Sequence, residues 1–331
     1  MKPHLLFVVG PTASGKSDVA VEIAEACGKE QPRAPELINC DSVQFFAGVD
    51  IGAAKPEPEL LARAKHHLIG HVPLGGAYTA GDFRRDALKI IEERSQIVSS
   101  FVGVGGSGFY VQALEKGMYE VPELSEDIRK QLDRDAEEKG YGVLYEELRT
   151  RDAEAAAKIQ PQDRYRIWRA LEILRSHPDG GTLSQIRAQF EKQKPDAPFT
   201  VSKIGIFRSR EELRRRITSR TQRMLREGLI EEVEGLRAKG LNDWAPLKSV
   251  GYKEVQEFLD GRLTREELEP LIITSTMQLA KRQMTWFKRD ASIQWFESKD
   301  GQLGAVGTEA EFLGNSPTEY VVRWLSRQRA P

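Results

Sequence analysis

Cysteine is nearly absent: Cys27 and Cys40 are the only two in 331 residues. They form no metal-binding pattern, and a bridge between them is unexpected in a reducing compartment, so neither a zinc framework nor a disulfide scaffold organises the chain. Long apolar runs are also missing. The N-terminal run Leu5–Val9 is too short for a signal peptide, and no other run could span a membrane, so a cytoplasmic location is expected. Net charge is close to nil, at -1, which excludes a globally basic nucleic-acid binder and leaves room only for a local basic patch. Internal repeats and low-complexity segments are absent too. What remains is ordinary globular material: 40% hydrophobic and 30% charged residues, enough for two domains or for one core with an elaboration.

Gly10-Pro11-Thr12-Ala13-Ser14-Gly15-Lys16-Ser17 fits G-x-x-x-x-G-K-[ST]. The apolar run Leu5-Leu6-Phe7-Val8-Val9 suits a buried strand before it. Ser17 to Ala26 reads as a helix after it, with Val19, Ile23 and Ala26 on one face. In such a strand–loop–helix, backbone N–H groups and the positive helix end cradle phosphates, Lys16 neutralises their charge, and Ser17 ligates Mg²⁺. A glycine-rich turn that binds nothing is the plainer alternative, disfavoured because motif and context agree. The loop specifies phosphate without saying whose.

Further along, Glu30–Pro35 reads as a loop and Leu37–Cys40 as a strand ending at Asp41-Ser42-Val43-Gln44. Pro58–Lys65 reads as a short helix, His67–Ile69 with Val72 as a short strand, and Asp82–Ser95 as an amphipathic helix carrying Phe83, Ala87, Ile90 and Ile91. Ile97-Val98 and Phe101–Val104 suggest another strand, closed by Gly105-Gly106-Ser107-Gly108. Alternating strands and helices predict right-handed β-α-β units. The texture changes near Val121-Pro122 into helices at 127–139, 141–151, 162–176 and 183–192, broken at Pro178–Gly181 and Lys194–Pro198. Val201–Phe207 returns to the sheet, followed by helices at 209–227, 229–239 and 265–289 and by a tail of one strand and one helix. The expectation is an α/β fold: a P-loop NTPase-like core with a mostly parallel sheet over 1–120 and 201–331, and a helical insertion domain over 121–200.

Several residues could carry chemistry. Asp41 stands at a strand's C-terminal end, where open α/β sheets bind ligands, and suits either a Mg²⁺ site through water or a general base. An ordinary capping aspartate is the alternative. Gly103–Gly108 superficially resembles a dinucleotide fingerprint, but the opening unit is already taken by the P-loop, so a second phosphate-facing loop with the Ser107 hydroxyl, or a plain tight turn, fits better. His66, His67 and His71 lack a cysteine or well-spaced carboxylate and read as loop histidines, not a zinc cluster. Arginines crowd 208–226, and Arg216 and Arg220 share a helix face as a candidate phosphate clamp. Lys281, Arg282, Lys288 and Arg289 interleave with Trp286 and Phe287, a mixture suited to RNA, although Trp286 could equally be core.

Taken together these motifs resemble the bacterial tRNA isopentenyltransferase (IPP transferase, dimethylallyltransferase) family. Gly10–Ser17 is similar to its P-loop, and Asp41-Ser42-Val43-Gln44, Asp50-Ile51-Gly52 and Lys55-Pro56 to its second signature. His66–Ile69, Gly105–Tyr110, Arg169–Glu172, Val250–Glu254, Gln278 and Ala280–Phe287 follow in family order, over about residues 5–290. The resemblance implies transfer of the dimethylallyl group of dimethylallyl diphosphate to N6 of the tRNA adenosine beside the anticodon, position 37. It implies Asp41 as general base and Lys16, Mg²⁺ on Ser17, Ser107 and Arg220 on the leaving diphosphate, with Arg216 in support. It also implies tRNA contacts at Asp41, Ser42, Val43, Gln44 and Ser107, at Tyr165, Arg166, Ile167, Trp168 and Arg169, at Lys248, Gly251, Tyr252 and Lys253, and at Lys281, Arg282, Gln283, Trp286 and Lys288. Arg129 adds a contact from the insertion. The partners are then the anticodon stem-loop of tRNA and dimethylallyl diphosphate, with no membrane and a monomeric enzyme.

The chain departs from the family pattern in places. Ser107 replaces Thr, Phe45-Phe46-Ala47 removes a hydroxyl, Gly70 stands where Asp is usual and Ala53 where Thr is common, Tyr165 replaces Gln, and Leu279 replaces Tyr. Among rivals, a small-molecule or nucleotide kinase accounts for Lys16, Ser17 and Asp41 but not for the basic aromatic helix. An RNA-binding GTPase would need Asn-Lys-x-Asp and Asp-x-x-Gly motifs that do not occur, and an isopentenyltransferase of free nucleotides would give the insertion little to grip.

Overall fold

The computed structural model describes residues 2–30, 33–119, 125–176, 181–193, 196–299, 302–306 and 316–327. The Val121-Pro122 boundary lies outside them, as do parts of the expected loop at 30–35 and of the breaks at 178–181 and 194–198.

The chain divides into two compact units, Met1–Lys116 with Ala197–Pro331, and Gly117–Asp196. The first is built on seven strands: β1 His4–Val9, β2 Glu36–Asn39, β3 His66–His67, β4 Ser100–Gly105, β5 Thr200–Phe207, β6 Ile293–Lys299 and β7 Gln302–Ala305. Their order is β3-β2-β4-β1-β5-β6-β7, parallel throughout except for the antiparallel β6–β7 pair. Its helices are α1 Lys16–Glu30, α2 Pro58–Arg63, α3 Ala80–Arg94 and α4 Gly108–Lys116. In the second unit lie α5 Glu126–Glu138, α6 Gly140–Arg151, α7 Ala153–Ala157, α8 Arg164–Ser176 and α9 Leu183–Gln193. The first unit resumes with α10 Arg210–Arg226, α11 Leu229–Ala238, α12 Tyr252–Leu259, α13 Arg265–Phe287 and α14 Pro317–Arg327.

A central parallel strand is buried on both faces, which explains why β1 reads as a continuous apolar run. Leu5, Phe7 and Val9 enter one core with Phe101, Ile38 and Phe83, whereas Leu6 and Val8 enter the other with α1 residues Val19, Ile23 and Cys27. The C-terminal ends of β1, β2 and β4 open on one edge, and this delivers the P-loop, Asp41 and Ser107 to the same side of the sheet. The second unit has its own core of Leu132, Leu144, Leu148, Ile167, Leu171 and Leu174. Among the described residues no helix is long and apolar enough to cross a membrane.

Local chemistry moved several expected boundaries. Helix α3 begins at Ala80, not Asp82, because Thr79 caps it and the Asp82 carboxylate closes a capping box on the Thr79 N–H at 3.0 Å. Ile97-Val98 does not join β4; those residues close the turn after α3, with both N–H groups bonded to the Arg94 carbonyl. Edge strand β3 is His66–His67, starting one residue before the expected start at His67 and placing His66 outside a loop, with the His67 Nε2 2.7 Å from Glu36. Helices α4, α7 and α12 and the second arm of the β6–β7 hairpin were not legible, being short or interrupted by glycine and charge. Phe46, where a hydroxyl was expected to be missing, is buried edge-on against Trp244 with ring centroids 5.3 Å apart, so a phenolic group there would have little water to face. Phe7 is fully buried under the P-loop strand; Phe7→Ala should cost about 3–5 kcal/mol, read as a lowered denaturant midpoint at unchanged m-value.

Candidate active site

The P-loop runs from β1 into α1 and takes positive φ at Gly10, Ala13 and Gly15. Gly10 has φ 140°, and a Cβ there would sit 2.2 Å from the Ile206 carbonyl oxygen, so any side chain is excluded. Ala13 takes a left-handed φ of 63°, a conformation disfavoured for an L residue by roughly 1–2 kcal/mol. Side chains from the far end of the chain hold this shape. Arg208 Nε donates to the Ser14 carbonyl at 2.7 Å, Arg216 Nε to the Ala13 carbonyl at 2.8 Å, and an Arg220 terminal nitrogen to the Thr12 hydroxyl at 2.9 Å. From α13, the Gln283 amide oxygen accepts the Thr12 N–H at 2.7 Å, and its amide nitrogen packs where a Cβ on Gly106 would lie, 2.4 Å away. Lys16 Nζ donates to the Pro11 carbonyl at 2.7 Å.

This loop forms one wall of a cleft of about 700 Å³. Lys16, Ser17, Asp41, Arg216 and Arg220 all line it, along with a less polar wall of Ala53, Ala54, Pro56 and Leu60. Burial pulls the Lys16 pKa down to about 8; Asp41 opposes the fall and Arg220 adds to it. Burial likewise lowers Arg220 to about 10, with Asp41 opposing and Arg223 and Arg216 reinforcing. Arg216 is lowered too, by burial first and then by Arg208. Lys16 and Arg220 thus both sense the Asp41 carboxylate in a partly dry cleft that Arg216 also lines, an arrangement that an anion with several oxygens would relieve.

Asp41 follows β2 after one intervening residue, Cys40. Its Oδ1 accepts the Val43 N–H at 3.0 Å in a tight turn, and its own N–H donates to Asn39 Oδ1 at 3.0 Å. Asn39 is itself anchored by donating to the Leu68 carbonyl at 2.9 Å. Oδ2 carries no hydrogen bond among the described residues and remains open as an acceptor in the cleft. Ser107 is held otherwise: its hydroxyl donates to the Ser42 hydroxyl and accepts the Ser42 N–H, both at 3.1 Å, and it does not line the cleft. Ser42 and Val43 are likewise off the cleft wall, while Gln44 lines it and donates to the carbonyls of Ala53 and Ala54.

Sequence reasoning missed Glu232 altogether. Its carboxylate accepts the N–H groups of Asp50, Ile51 and Gly52 at 2.8, 2.9 and 3.1 Å and the Tyr252 hydroxyl at 2.6 Å, fixing the loop that leads into the Ala53–Pro56 wall. Tyr252 was expected at an RNA contact, but it is fully buried and its oxygen also accepts the Ala53 N–H, so it supports the wall from behind. Ile167 is corrected for the same reason, since it is fully buried in the core of the second unit. Glu231, Glu232 and Glu234 look alike along α11, and only the folded chain distinguishes the one that turns inward.

The remaining residues expected at RNA divide by environment. Lys281 and Arg282 on α13 and Lys288 just after it are exposed, and Trp286 is 37% exposed, whereas Gln283 is turned to the P-loop. Lys248 and Lys253 are exposed, and Gly251 with φ 97° precedes α12 and donates its N–H to Glu254 at 2.7 Å. In the second unit Tyr165 is 76% exposed and Arg166 pairs with Asp163 at 2.8 Å. The Trp168 indole donates to Asp133 at 2.9 Å, and Arg129 and Arg169 both pair with the buried Glu172, the former at 2.6 Å.

The sequence model of the IPP transferase family matches residues 44–290. The tRNA dimethylallyltransferase of Bdellovibrio bacteriovorus is 46% identical over 301 residues, covering 91% of this chain and 95% of that protein. A full-length tRNA isopentenylpyrophosphate transferase from Bacillus halodurans superposes with a TM-score of 0.66 at 29% identity, covering 99% of this chain and 97% of the other. A eukaryotic dimethylallyltransferase acting on tRNA shares the fold with a TM-score of 0.74 at 24% identity, over 90% of this chain and 74% of that one.

Because Lys16 holds an anion only when protonated and its free pKa is about 8, the affinity for inorganic diphosphate relative to Lys16→Met should be level below that pH. Above it, binding must draw in a proton, and affinity should fall by about tenfold per pH unit relative to Lys16→Met, which cancels the ligand's own titration. Calorimetric titrations from pH 7 to 9.5 check this; parallel profiles for the two proteins would remove Lys16 from the anion seat. Glu232→Ala leaves three loop N–H groups and a buried phenol without their acceptor, and should lower stability by about 2–4 kcal/mol, measured by urea unfolding.

Proposed function

The chain belongs to the IPP transferase family, and from that premise we propose that the cleft carries the dimethylallyl group of dimethylallyl diphosphate to N6 of the tRNA adenosine beside the anticodon. The protein is a prenyltransferase acting on tRNA. The observation that supports the finer reading is that Asp41, its Oδ2 without a hydrogen bond among the described residues, shares one cleft with Lys16 and Arg220 and acts electrostatically on both. The N6 lone pair forms a bond to the allylic carbon as the carbon–oxygen bond to diphosphate breaks. The leaving group departs with that electron pair, and Lys16 and Arg220, with Arg216 in support, meet its growing negative charge. The N6 proton passes to Asp41 Oδ2. Ser107 holds the Ser42 segment next to Asp41, and touching the diphosphate itself would mean exchanging its bonds to Ser42.

The Ser17 hydroxyl has no hydrogen-bond partner among the described residues and shares the cleft with the Asp41 carboxylate, a set of hard oxygen donors that fits Mg²⁺. Bound there, Mg²⁺ would add neutralisation of the diphosphate. The acceptor base, stacked in its loop, must be turned out to reach Asp41. The exposed cations of α13, with Lys248 and Lys253, supply the RNA-facing charge, and Arg129, Tyr165, Arg166, Trp168 and Arg169 supply contacts from the second unit. The enzyme works as a cytoplasmic monomer on the anticodon stem-loop.

The test is incubation with radiolabelled dimethylallyl diphosphate and unmodified tRNA, and in parallel with ATP or AMP. Label should enter tRNA; ATP turnover without transfer would return the reading to a kinase. Asp41→Ala should slow transfer by about 10²–10⁴-fold while tRNA affinity stays within about twofold. A matching loss of affinity would make Asp41 a binding residue.

A further inference from the structure

A second cavity, of about 340 Å³, lies beside the P-loop cleft and shares no lining residue with it. Its floor is apolar, formed by the buried Val9, Val111, Phe287 and Ile293 beneath β1, β5 and β6. One wall is the half-exposed Trp286. Another is an ionic trio: Lys203 Nζ, almost wholly buried, donates to Glu115 Oε1 at 2.5 Å and to Asp290 Oδ2 at 2.6 Å. Asp290 Oδ1 is occupied by Ser292, which donates both its N–H and its hydroxyl, but Glu115 Oε2 carries no hydrogen bond among the described residues. Exposed Lys116 and Arg289 stand at the mouth with no ion pair among the described residues.

This order of groups excludes simple ligands. A free anion would meet the wall carboxylates, and a free cation would meet the surplus of positive charge from Lys203, Lys116 and Arg289. A nucleotide satisfies every part at once: the phosphate stays at the basic mouth, the ring lies on the indole and the apolar floor, and an amino edge donates to the open carboxylate oxygen. Resting on the proposed reaction with tRNA, we infer that this cavity receives one unpaired loop nucleotide other than the acceptor, whose base carries an exocyclic amino group, as adenine and cytosine do and uracil does not. It cannot be the acceptor's own seat, because that base must bring its N6 to Asp41, which lines the other cleft. The cavity therefore reads the neighbourhood of the modified base.

Glu115→Gln makes the inference sharply testable. The single amide oxygen is drawn to Lys203, leaving an NH₂ to face the cavity, so an acceptor becomes a donor. Affinities are measured by fluorescence anisotropy for the full chain with synthetic anticodon stem-loops in which each loop position in turn is A, C or U. At one position other than the acceptor, the intact protein should prefer A or C over U by about tenfold, and Glu115→Gln should erase or reverse that preference. Ala291→Trp, a substitution at the exposed rim that fills the cavity, should abolish discrimination at the same position and decides the matter alone if Glu115→Gln fails to fold. Discrimination unchanged at every position in both variants would overturn the inference. If labelled dimethylallyl still enters the RNA in that case, the proposed reaction stands and only the cavity's role falls. If the intact protein transfers no label to RNA, the proposed reaction itself falls.

Discussion

The P-loop is itself gripped by the rest of the chain. Its backbone oxygens at Pro11, Ala13 and Ser14 and the Thr12 hydroxyl accept bonds from Lys16, Arg216, Arg208 and Arg220, three of which arrive from beyond the second unit of the chain. These bonds offset the left-handed strain at Ala13 and leave the cations poised at the cleft. The arrangement costs desolvation, visible in the lowered pKa values of Lys16 and Arg220, which a polyanion would relieve. A preorganised set of donors needs little reorganisation when charge develops on a leaving group, which is the physical basis of its use in catalysis.

The same logic of support from behind recurs at the opposite wall. Glu232 gathers three consecutive N–H groups and Tyr252 adds a fourth bond at Ala53, so the wall facing the P-loop is set by residues that never reach the cleft. Gln283 does the same for the loop's other flank, between Thr12 and Gly106. Parallel-sheet topology makes this possible, because it brings the ends of β1, β2 and β4 together and lets α10, α11 and α13 close over them.

Much of the site was legible because its signals are local. A P-loop is eight consecutive residues whose spacing is dictated by one phosphate, and Asp41 is marked by being the first polar residue after an apolar strand. Arg216 and Arg220 could be paired by helical spacing alone. Tyr252 and Ile167 misled because motif membership says nothing about which way a side chain points, and both point inward. Ser107 sits on the right loop, yet its hydroxyl is engaged by Ser42, a partner 65 positions away.

By itself the sequence determined the α/β order of elements, the phosphate loop, the strand-end aspartate and the family, since each rests on periodicity or on short spacing. Tertiary structure alone decided that Arg208, Arg216 and Arg220 bind the loop's own oxygens, that Glu232 is the one inward carboxylate of α11, and that Lys203 joins Glu115 and Asp290 under a cavity. The reason is separation. These partners lie roughly 90 to 200 positions apart, or 180 for Glu232 and its loop, and a long-range bond depends on where the sheet and its helices carry the backbone, which no local pattern encodes.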